Sequence, residues 1–227
     1  AEDEEAEAGN PYLVPAHSKN IDLMLEYYAG PLGIVSFGYF TKDIADYFYV
    51  GVMENYELQG KTYEEVKMPQ NGENATLSGW EFNIQQQLSF LPGPLSGLGV
   101  YANYTSTTSE AYYGSDRDKT TLPGQAGNTG NFSLSYETKK LSARLSYALS
   151  DKYIVEVGGD ADEDVYYEPA NRIDISLSYD PMANLTILAD LMNVNNAPLG
   201  YFQGSESTPI QRELYGPSFR MGLQYDF

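Results

Sequence analysis

Clusters of acidic side chains are the first candidates for a metal-binding or catalytic site in this chain. Asp160, Asp162 and Asp164 alternate in the run DADED, a spacing similar to that of the carboxylates in a calcium-binding loop. The run lacks the central glycine and the terminal glutamate of an EF-hand loop. We therefore expect a solvated acidic loop and keep these three residues only as weak metal-ligand candidates. The adjacent pair Glu64 and Glu65 has no base, nucleophile or metal ligand beside it in the sequence, so solvated charge is expected there too.

The remaining ionisable residues argue against an enzyme. His17 is the only histidine and the sequence contains no cysteine, so it offers neither a catalytic triad nor a zinc ligand set. We expect no catalytic residue and no cofactor. Acidic residues outnumber basic ones by 32 to 13, and the net charge of −19 repels phosphate backbones, which excludes nucleic acid as a partner. The lack of cysteine favours a cell-envelope or secreted setting.

Paired aromatic residues between the regular segments are the candidates for ligand contact. Their rings can stack on sugars or on ring-bearing ligands, or they can pack the loops against one another. The sequence leaves both interpretations open. The six residues are Tyr112, Tyr113, Tyr166, Tyr167, Tyr201 and Phe202.

The segments that must position these loops alternate with a period of two. In RIDISLSYD, Ile173 and Ile175 share one face of an extended chain, and Asp174 and Ser176 share the other. The same alternation recurs along the chain with no sustained helical period, which predicts an all-β fold. We expect nine strands, at 20–29, 33–57, 74–91, 97–109, 127–138, 140–152, 171–180, 184–193 and 212–227.

Short and long connections alternate between these strands, as they do in an antiparallel up-and-down meander. The short connections fall at 29–33, 91–97, 138–140 and 180–184, and the long ones near 55–75, 106–128, 151–171 and 193–211. An odd number of strands places Ala1 on the long-loop side and Phe227 on the short-turn side.

A transmembrane β-barrel explains this pattern better than the alternative, a soluble β-sandwich. The polar strand faces are rich in Ser, Asn, Gln, Asp and Glu, as a wet lumen requires, and tyrosines sit at strand ends like the aromatic girdles of outer-membrane barrels. We expect the apolar side chains to face lipid, among them Leu134, Leu145, Ile175 and Leu223. The polar side chains between them should face the lumen, among them Ser135, Arg144, Ser176 and Gln224.

Six segments, in order, resemble the C-terminal part of a TonB-dependent outer-membrane receptor. They are GNPYLVPAHSKNIDLMLEYY, SFGYFTKDIADY, ATLSGWEFNIQQQLSFLPGPLSGLGVYANYT, LPGQAGNTGNFSLSYE, LADLMNVNNAPLGYF and RELYGPSFRMGLQYDF. The first is similar to the family's G-N-P-x-L-x-P-x-x-S-x-N pattern. In the fifth, Asn193, Asn196 and Pro198 occupy places comparable to those of the family's N-L-T-D-E-P step. Together the segments cover nearly all of the chain from Gly9 onward.

The resemblance implies that the chain is one piece of a larger barrel. The family's barrel has about 22 strands and a plugged lumen, so about nine strands form only its C-terminal part. The plug domain, the short box that binds the energy-coupling TonB protein and the earlier strands are expected elsewhere. Within the chain, we expect residues 1–19 to be an acidic extracellular lead-in and 20–227 to be the barrel segment.

The function implied by the resemblance is transport across the outer membrane of a Gram-negative bacterium. The segment would belong to a TonB-dependent transporter that imports a scarce nutrient, such as a siderophore, a vitamin complex or an oligosaccharide. The alternative is a stand-alone small outer-membrane barrel or a surface adhesin without energised transport. In the stand-alone barrel, 33–57 would split into two strands to give an even number of ten.

The same resemblance implies a set of partners. They are outer-membrane lipid and lipopolysaccharide, the remainder of the receptor, the barrel-assembly machinery, and the TonB protein, which is reached only through the missing part. The assembly machinery reads a C-terminal pattern that here contains Gly222, Tyr225 and Phe227.

Overall fold

The computed structural model describes residues 5–30, 33–113 and 119–227. The regular structure in these ranges is β-strand, with short 3-10 helices at Gly93–Gly97 and Ala161–Glu163. The strands are β1 (Glu5–Glu7), β2 (His17–Tyr28), β3 (Gly33–Ala45), β4 (Phe48–Leu58), β5 (Lys61–Asn71), β6 (Asn74–Gln87), β7 (Leu98–Ala111), β8 (Asn128–Glu137), β9 (Leu141–Ser150), β10 (Tyr153–Glu156), β11 (Val165–Tyr167), β12 (Ala170–Met182), β13 (Leu185–Met192), β14 (Leu199–Gln203), β15 (Pro209–Glu213) and β16 (Ser218–Tyr225). None of the helices in the described ranges has the length and apolar character needed to cross a membrane.

Nine of these strands form one antiparallel sheet, the wall, in the order β2-β3-β6-β7-β8-β9-β12-β13-β16. Each strand pairs with the wall strand that precedes it in the chain, so the sheet is an up-and-down meander. The all-β antiparallel class and the nine wall strands agree with the sequence-based prediction. The strands form because large apolar side chains alternate with small polar ones on a two-residue period, which suits a sheet with two different surroundings.

The wall has two free edges. β2 is paired only with β3, and β16 only with β13, among the residues that the structure describes. A barrel closed by this chain alone would need β16 to pair with β2, so the interpretation as a ten-stranded small barrel is wrong for this part of the chain. Unpaired backbone N–H and C=O groups are not tolerated in lipid, so in a membrane both edges would need a partner.

The predicted single strand at 33–57 is also wrong. β3 ends at Ala45 because Asp46 has a φ of 55°, and this left-handed conformation does not continue a β-ladder. The chain resumes as β4, which pairs with β5 in a separate hairpin. Gln59 and Gly60 form its two-residue turn with φ angles of 54° and 82°, both positive as such a turn requires.

The long connections of the wall carry two further sheets, which together we call the loop tier. One has the order β1-β5-β4, with β1 parallel to β5, and the other has the order β10-β11-β14-β15. The last predicted strand, 212–227, is accordingly divided between β15 in the loop tier and β16 in the wall. β2 begins at His17, three residues before the predicted strand, and β1 belongs to the loop tier, while the division into a lead-in at 1–19 and a barrel segment stays a prediction.

The ladders separate the two ends of the wall as predicted. His17 pairs with Ala45 at the long-loop end, and Tyr28 pairs with Ile34 beside the first short turn. The four short connections therefore share one end and the four long connections share the other. The prediction for Ala1 falls outside the described residues.

The buried core lies at the long-loop end of the wall. Tyr47, Ala75 and Ala111 are buried together, and Tyr113 and Leu122 pack against them. Elsewhere the wall leaves large apolar side chains exposed, including Leu134 and Leu145, which are both 47% exposed. A sheet with this distribution has one face that needs a nonaqueous environment.

Candidate functional site

The two faces of the wall have opposite chemistry, and the ladder shows it row by row. One cross-strand row on the first face reads Val100, Leu134, Leu145, Ile175, Leu191 and Phe219. The adjacent row on the other face reads Gly99, Ser135, Arg144, Ser176, Asp190 and Arg220. The predicted sorting of Leu223 and Gln224 also holds, since Leu223 pairs with Ile187 on the apolar face and Gln224 with Thr186 on the polar face. We call these the outer and the luminal face.

Polar side chains on the luminal face are largely engaged with one another. The Arg220 guanidinium donates from Nε and Nη2 to Oδ2 of Asp190, at 2.9 and 2.8 Å. Nε of Arg172 donates to Oδ2 of Asp174 at 3.0 Å. These contacts cross-link neighbouring strands or residues of one strand and give the interior surface a fixed pattern of charge.

A polar groove of about 1260 Å³ lies on the luminal face near the short-turn end. Its lining includes Gln85, Gln87, Tyr101, Ser133, Ser135 and Arg144. The groove has the donors, acceptors and charge of a surface that contacts water or another polar segment rather than lipid.

The loop tier joins connections that are far apart in the chain. The Tyr47 hydroxyl donates to the carbonyl oxygen of Tyr112 at 2.8 Å, which links the β3–β6 and β7–β8 connections. The N–H of Gly124 donates to the carbonyl of Ile154 at 2.8 Å, which links the β7–β8 and β9–β12 connections. Pairing of β11 with β14 then links the β9–β12 and β13–β16 connections. The four connections therefore form one interlocked structure over the end of the wall.

A second groove, of about 680 Å³, separates the β4–β5 hairpin from the four-stranded sheet of the loop tier. Glu54, Glu65, Glu156 and Glu163 line it, together with Lys67 and Tyr201. Nζ of Lys67 lies 2.8 Å from Oε2 of Glu156 and ties the hairpin to the facing sheet. The hydrogen bond that Lys67 donates to Glu156 is the main cause that raises the pKa of Lys67. The nearby charges of Glu156, Glu5 and Glu65 act in the same direction, against the effect of burial.

The predicted loop aromatics pack chiefly against each other. Tyr166 stacks on Phe202 with ring centroids 5.2 Å apart, and Tyr167 lies between Tyr153 and Tyr201. Phe202 is fully buried and its ring is part of the loop-tier core, which fits the packing interpretation, while its contact with a ligand stays a prediction. Burial is also the main cause that raises the pKa of the Tyr167 hydroxyl.

The other pair, Tyr112 and Tyr113, lies at the base of the loop tier. The Tyr113 ring meets Tyr47 and Tyr49 edge to face, at centroid distances of 5.7 and 4.9 Å. The Lys119 ammonium lies 4.3 Å from the Tyr112 ring centroid. These contacts fit the packing interpretation, while ligand contact by the partly exposed Tyr112, Tyr113, Tyr166, Tyr167 and Tyr201 stays a prediction.

Asp164 is the one residue of the acidic run DADED that is buried, and the other four are exposed. Asp164 is fully buried and accepts a hydrogen bond from the backbone N–H of Gly158 at 3.1 Å. Glu163 accepts from the N–H groups of Gly159 and Asp160, which closes a capping box over the 3-10 helix. Asp160 and Asp162 remain exposed. Within the described ranges no group of three or more His, Asp or Glu side chains has a metal-binding arrangement, and His17 stands exposed at the start of β2.

The C-terminal pattern lies on the free edge of the wall. Gly222 is opposite Leu188 in the β13–β16 ladder, and the Tyr225 and Phe227 rings meet edge to face at 5.1 Å. Its recognition by assembly machinery stays a prediction.

Sequence reasoning missed the hairpin, the Lys67–Glu156 contact and the second groove. The signal for the hairpin was present, because Gln59-Gly60 separates two segments rich in strand-forming residues.

Comparison with known proteins identifies the architecture. The family model described as "TonB dependent receptor-like, beta-barrel" matches residues 3–196. No curated protein matches the chain. Among solved structures, a ferric enterobactin receptor (PfeA) mutant from Pseudomonas aeruginosa is 18% identical with a TM-score of 0.59, covering 93% of this chain and 31% of its own.

Two further structures show the same relation. The copper transporter OprC is 15% identical with a TM-score of 0.66, covering 96% of this chain and 32% of its own. The ferric yersiniabactin uptake receptor FyuA from Yersinia pestis is 17% identical with a TM-score of 0.64, covering 93% of this chain and 30% of its own. The chain thus spans about a third of the length of the structures it matches, and at these identities the likeness shows a shared fold.

Proposed function

Because this chain belongs to the TonB-dependent receptor-like β-barrel family, we propose that it forms the C-terminal part of the wall of a receptor that imports a scarce nutrient. Barrels of this family are located in the outer membrane of Gram-negative bacteria, which is where the chain resides. The observation that carries the proposal is the open wall, with an apolar outer face, a charged luminal face and two edges that require further strands. A surface adhesin does not need a charged and grooved interior.

The remainder of the receptor supplies the missing partners in this proposal. Earlier barrel strands pair with β2 and β16, a plug fills the lumen, and the plug couples to the TonB protein. Outer-membrane lipid and lipopolysaccharide surround the apolar face, and the barrel-assembly machinery inserts the chain through the edge that contains Gly222, Tyr225 and Phe227. No catalytic step is required of the chain.

The loop tier is the proposed site of nutrient capture. The similar structures are named as receptors or transporters of iron-siderophore complexes and copper, which favours a metal-bearing nutrient over an oligosaccharide or a vitamin complex. The segment 1–16 and the four long connections contain 22 acidic and six basic residues, so they carry −16 of the net charge of −19. A mouth of this charge attracts cations and repels anions, so a neutral or cationic complex is the proposed cargo.

Uptake in intact cells tests the proposal. A strain that lacks its own receptor for a radiolabelled metal complex is given the full-length receptor that contains this chain, with and without a functional TonB protein. Accumulation that requires both genes supports energised import. Surface attachment of cells that is equal in both strains, with no accumulation of any tested complex, would instead establish the adhesin alternative. A fall in uptake as the salt concentration rises is the expected result for a cationic cargo.

A further inference from the structure

One arginine of the luminal face stands apart from the others. Arg144 is the fourth of the ten residues of β9, directly opposite Ser135 of β8 and Ser176 of β12. Serines occupy four of the six neighbouring luminal positions on these three strands, namely Ser133, Ser142, Ser146 and Ser178, and the other two are Glu137 and Asp174. Because serine side chains are short, the guanidinium projects above its surroundings into the polar groove.

Arg144 has no carboxylate partner among the described residues, in contrast with the other described arginines. Arg220 lies 2.8 Å from Asp190, Arg172 lies 3.0 Å from Asp174, and Arg212 lies 3.4 Å from Glu168. Asp190 shares the cross-strand row of Arg144, but its Oδ2 already accepts two hydrogen bonds from Arg220. Arg144 is therefore the one described arginine of the wall without a carboxylate partner.

Two acids of the wall lie diagonal to Arg144, Glu137 on β8 and Asp174 on β12. Asp174 already accepts a hydrogen bond from Arg172, so Glu137 is the acid left to compensate Arg144. Glu137 pairs with Ser142 at the end of β8, and the side chains of Glu137 and Arg144 both line the groove. Glu137 is exposed at the strand end and makes no ion pair with Arg144 in the structure. An experiment on Arg144 must therefore include Glu137.

An unpaired guanidinium is well hydrated while water fills the groove. It loses these hydrating water molecules once a polypeptide segment fills the lumen. Removing water from a charge without a partner is costly, so the segment that covers Arg144 must supply an anion. About two thirds of the length of the matched structures lies outside this chain, which leaves ample polypeptide to occupy the lumen. We propose that Arg144 docks an aspartate or glutamate side chain of the lumen-filling segment, an inference that rests on the proposed function.

The chemistry of the position favours a carboxylate on a protein segment. A guanidinium donates two parallel hydrogen bonds to a carboxylate, a geometry that suits the planar carboxylate group. Arg144 also lies toward the short-turn end of the wall, on the side away from the loop tier, where the nutrient is captured. The docking point therefore holds the plug in place and does not select the cargo.

Photocrosslinking in the full-length receptor tests where the segment lies. A benzophenone amino acid replaces Arg144 in one variant and Ser178, on the same face of the next strand, in a second. Both are expected to crosslink to peptides from outside this chain, and the Arg144 peptide should contain Asp or Glu. If neither position crosslinks to such a peptide, no segment fills the lumen and the proposed function itself fails. If Ser178 crosslinks and Arg144 does not, the docking inference alone is overturned.

Channel conductance in planar bilayers tests the role of the charge. Arg144→Glu is expected to raise the fraction of open channels about tenfold or more, because it places like charges at the docking point, and Arg144→Lys should lie between it and the wild type. Arg172→Gln is the matched control, since Arg172 already has a partner within its own strand. Glu137→Gln should leave the open fraction unchanged. An effect of Glu137→Gln equal to that of Arg144→Glu, or no effect of Arg144→Glu in a receptor that inserts normally, would overturn the inference.

Discussion

Replacing Leu145 by arginine is the sharpest test of which face of the wall meets lipid. Leu145 lies on the outer face of β9 between Leu134 and Ile175, and nearly half of its side chain is exposed in the isolated wall. If that face contacts hydrocarbon, the arginine must be placed in an apolar medium. If the face contacts water, the change is nearly neutral.

The expected cost follows from the position of the residue along its strand. β9 contains ten residues, and Leu145 is the fifth. At about 3.4 Å per residue and a tilt of about 40°, such a strand rises roughly 26 Å, close to the apolar band of about 25 Å in outer-membrane barrels. Leu145 therefore lies near the midplane, where an arginine on the lipid face costs about 2–4 kcal/mol.

Two matched variants of the same strand make the measurement decisive. Leu141→Arg places the charge at the end of β9 on the same face and should cost about 0–1 kcal/mol. Ser146→Arg places it one residue along on the luminal face and should cost little. The assay is reversible guanidinium unfolding of the full-length receptor in lipid vesicles, with the free energy of unfolding compared among the three variants. A cost for Ser146→Arg equal to that for Leu145→Arg would refute the assignment of the faces.

Three further predictions concern the loop tier and its side of the membrane. A cysteine at Asp162 should react with a membrane-impermeant maleimide on intact cells and one at Met182 should not; the opposite result would invert the topology. Phe202→Ala should destabilise the four-stranded loop sheet by about 3–5 kcal/mol, seen as faster proteolysis of the loops while the wall stays protected, and Phe202→Leu should act more weakly. The raised pKa of Lys67 makes its contact with Glu156 complete below the ordinary value of 10.5, with loss as the pH rises through the higher folded-state value. The distance between spin labels on the hairpin and the β9–β12 connection should lengthen only as the pH rises through this folded-state pKa. Glu156→Gln should abolish that pH dependence.

The local pattern of the sequence was sufficient to predict the wall. Alternation in segments such as LSARLSYAL is imposed by the two surroundings of a strand, and each strand carries its own copy of the signal. The turns also have local signals: Pro181, near the end of β12, and Asn184, in the turn itself, are residues typical of a tight connection. Strand number, direction and the sorting of side chains between the two faces therefore follow from residues close together in the chain.

The loop tier depends on contacts between residues far apart, which no local pattern specifies. β11 pairs with β14 across more than 30 residues, and Lys67 meets Glu156 across almost 90. Asp164 looks like solvated charge in its sequence context, yet the surrounding sheet buries it and satisfies it through Gly158. Local pattern is also insufficient for Arg144. Its sequence neighbours predict that it lies on the luminal face. Only the ladder shows that serines lie opposite it and that Asp190, in the same cross-strand row, is already paired with Arg220. Periodicity decides which way a side chain points, and tertiary pairing decides what it meets.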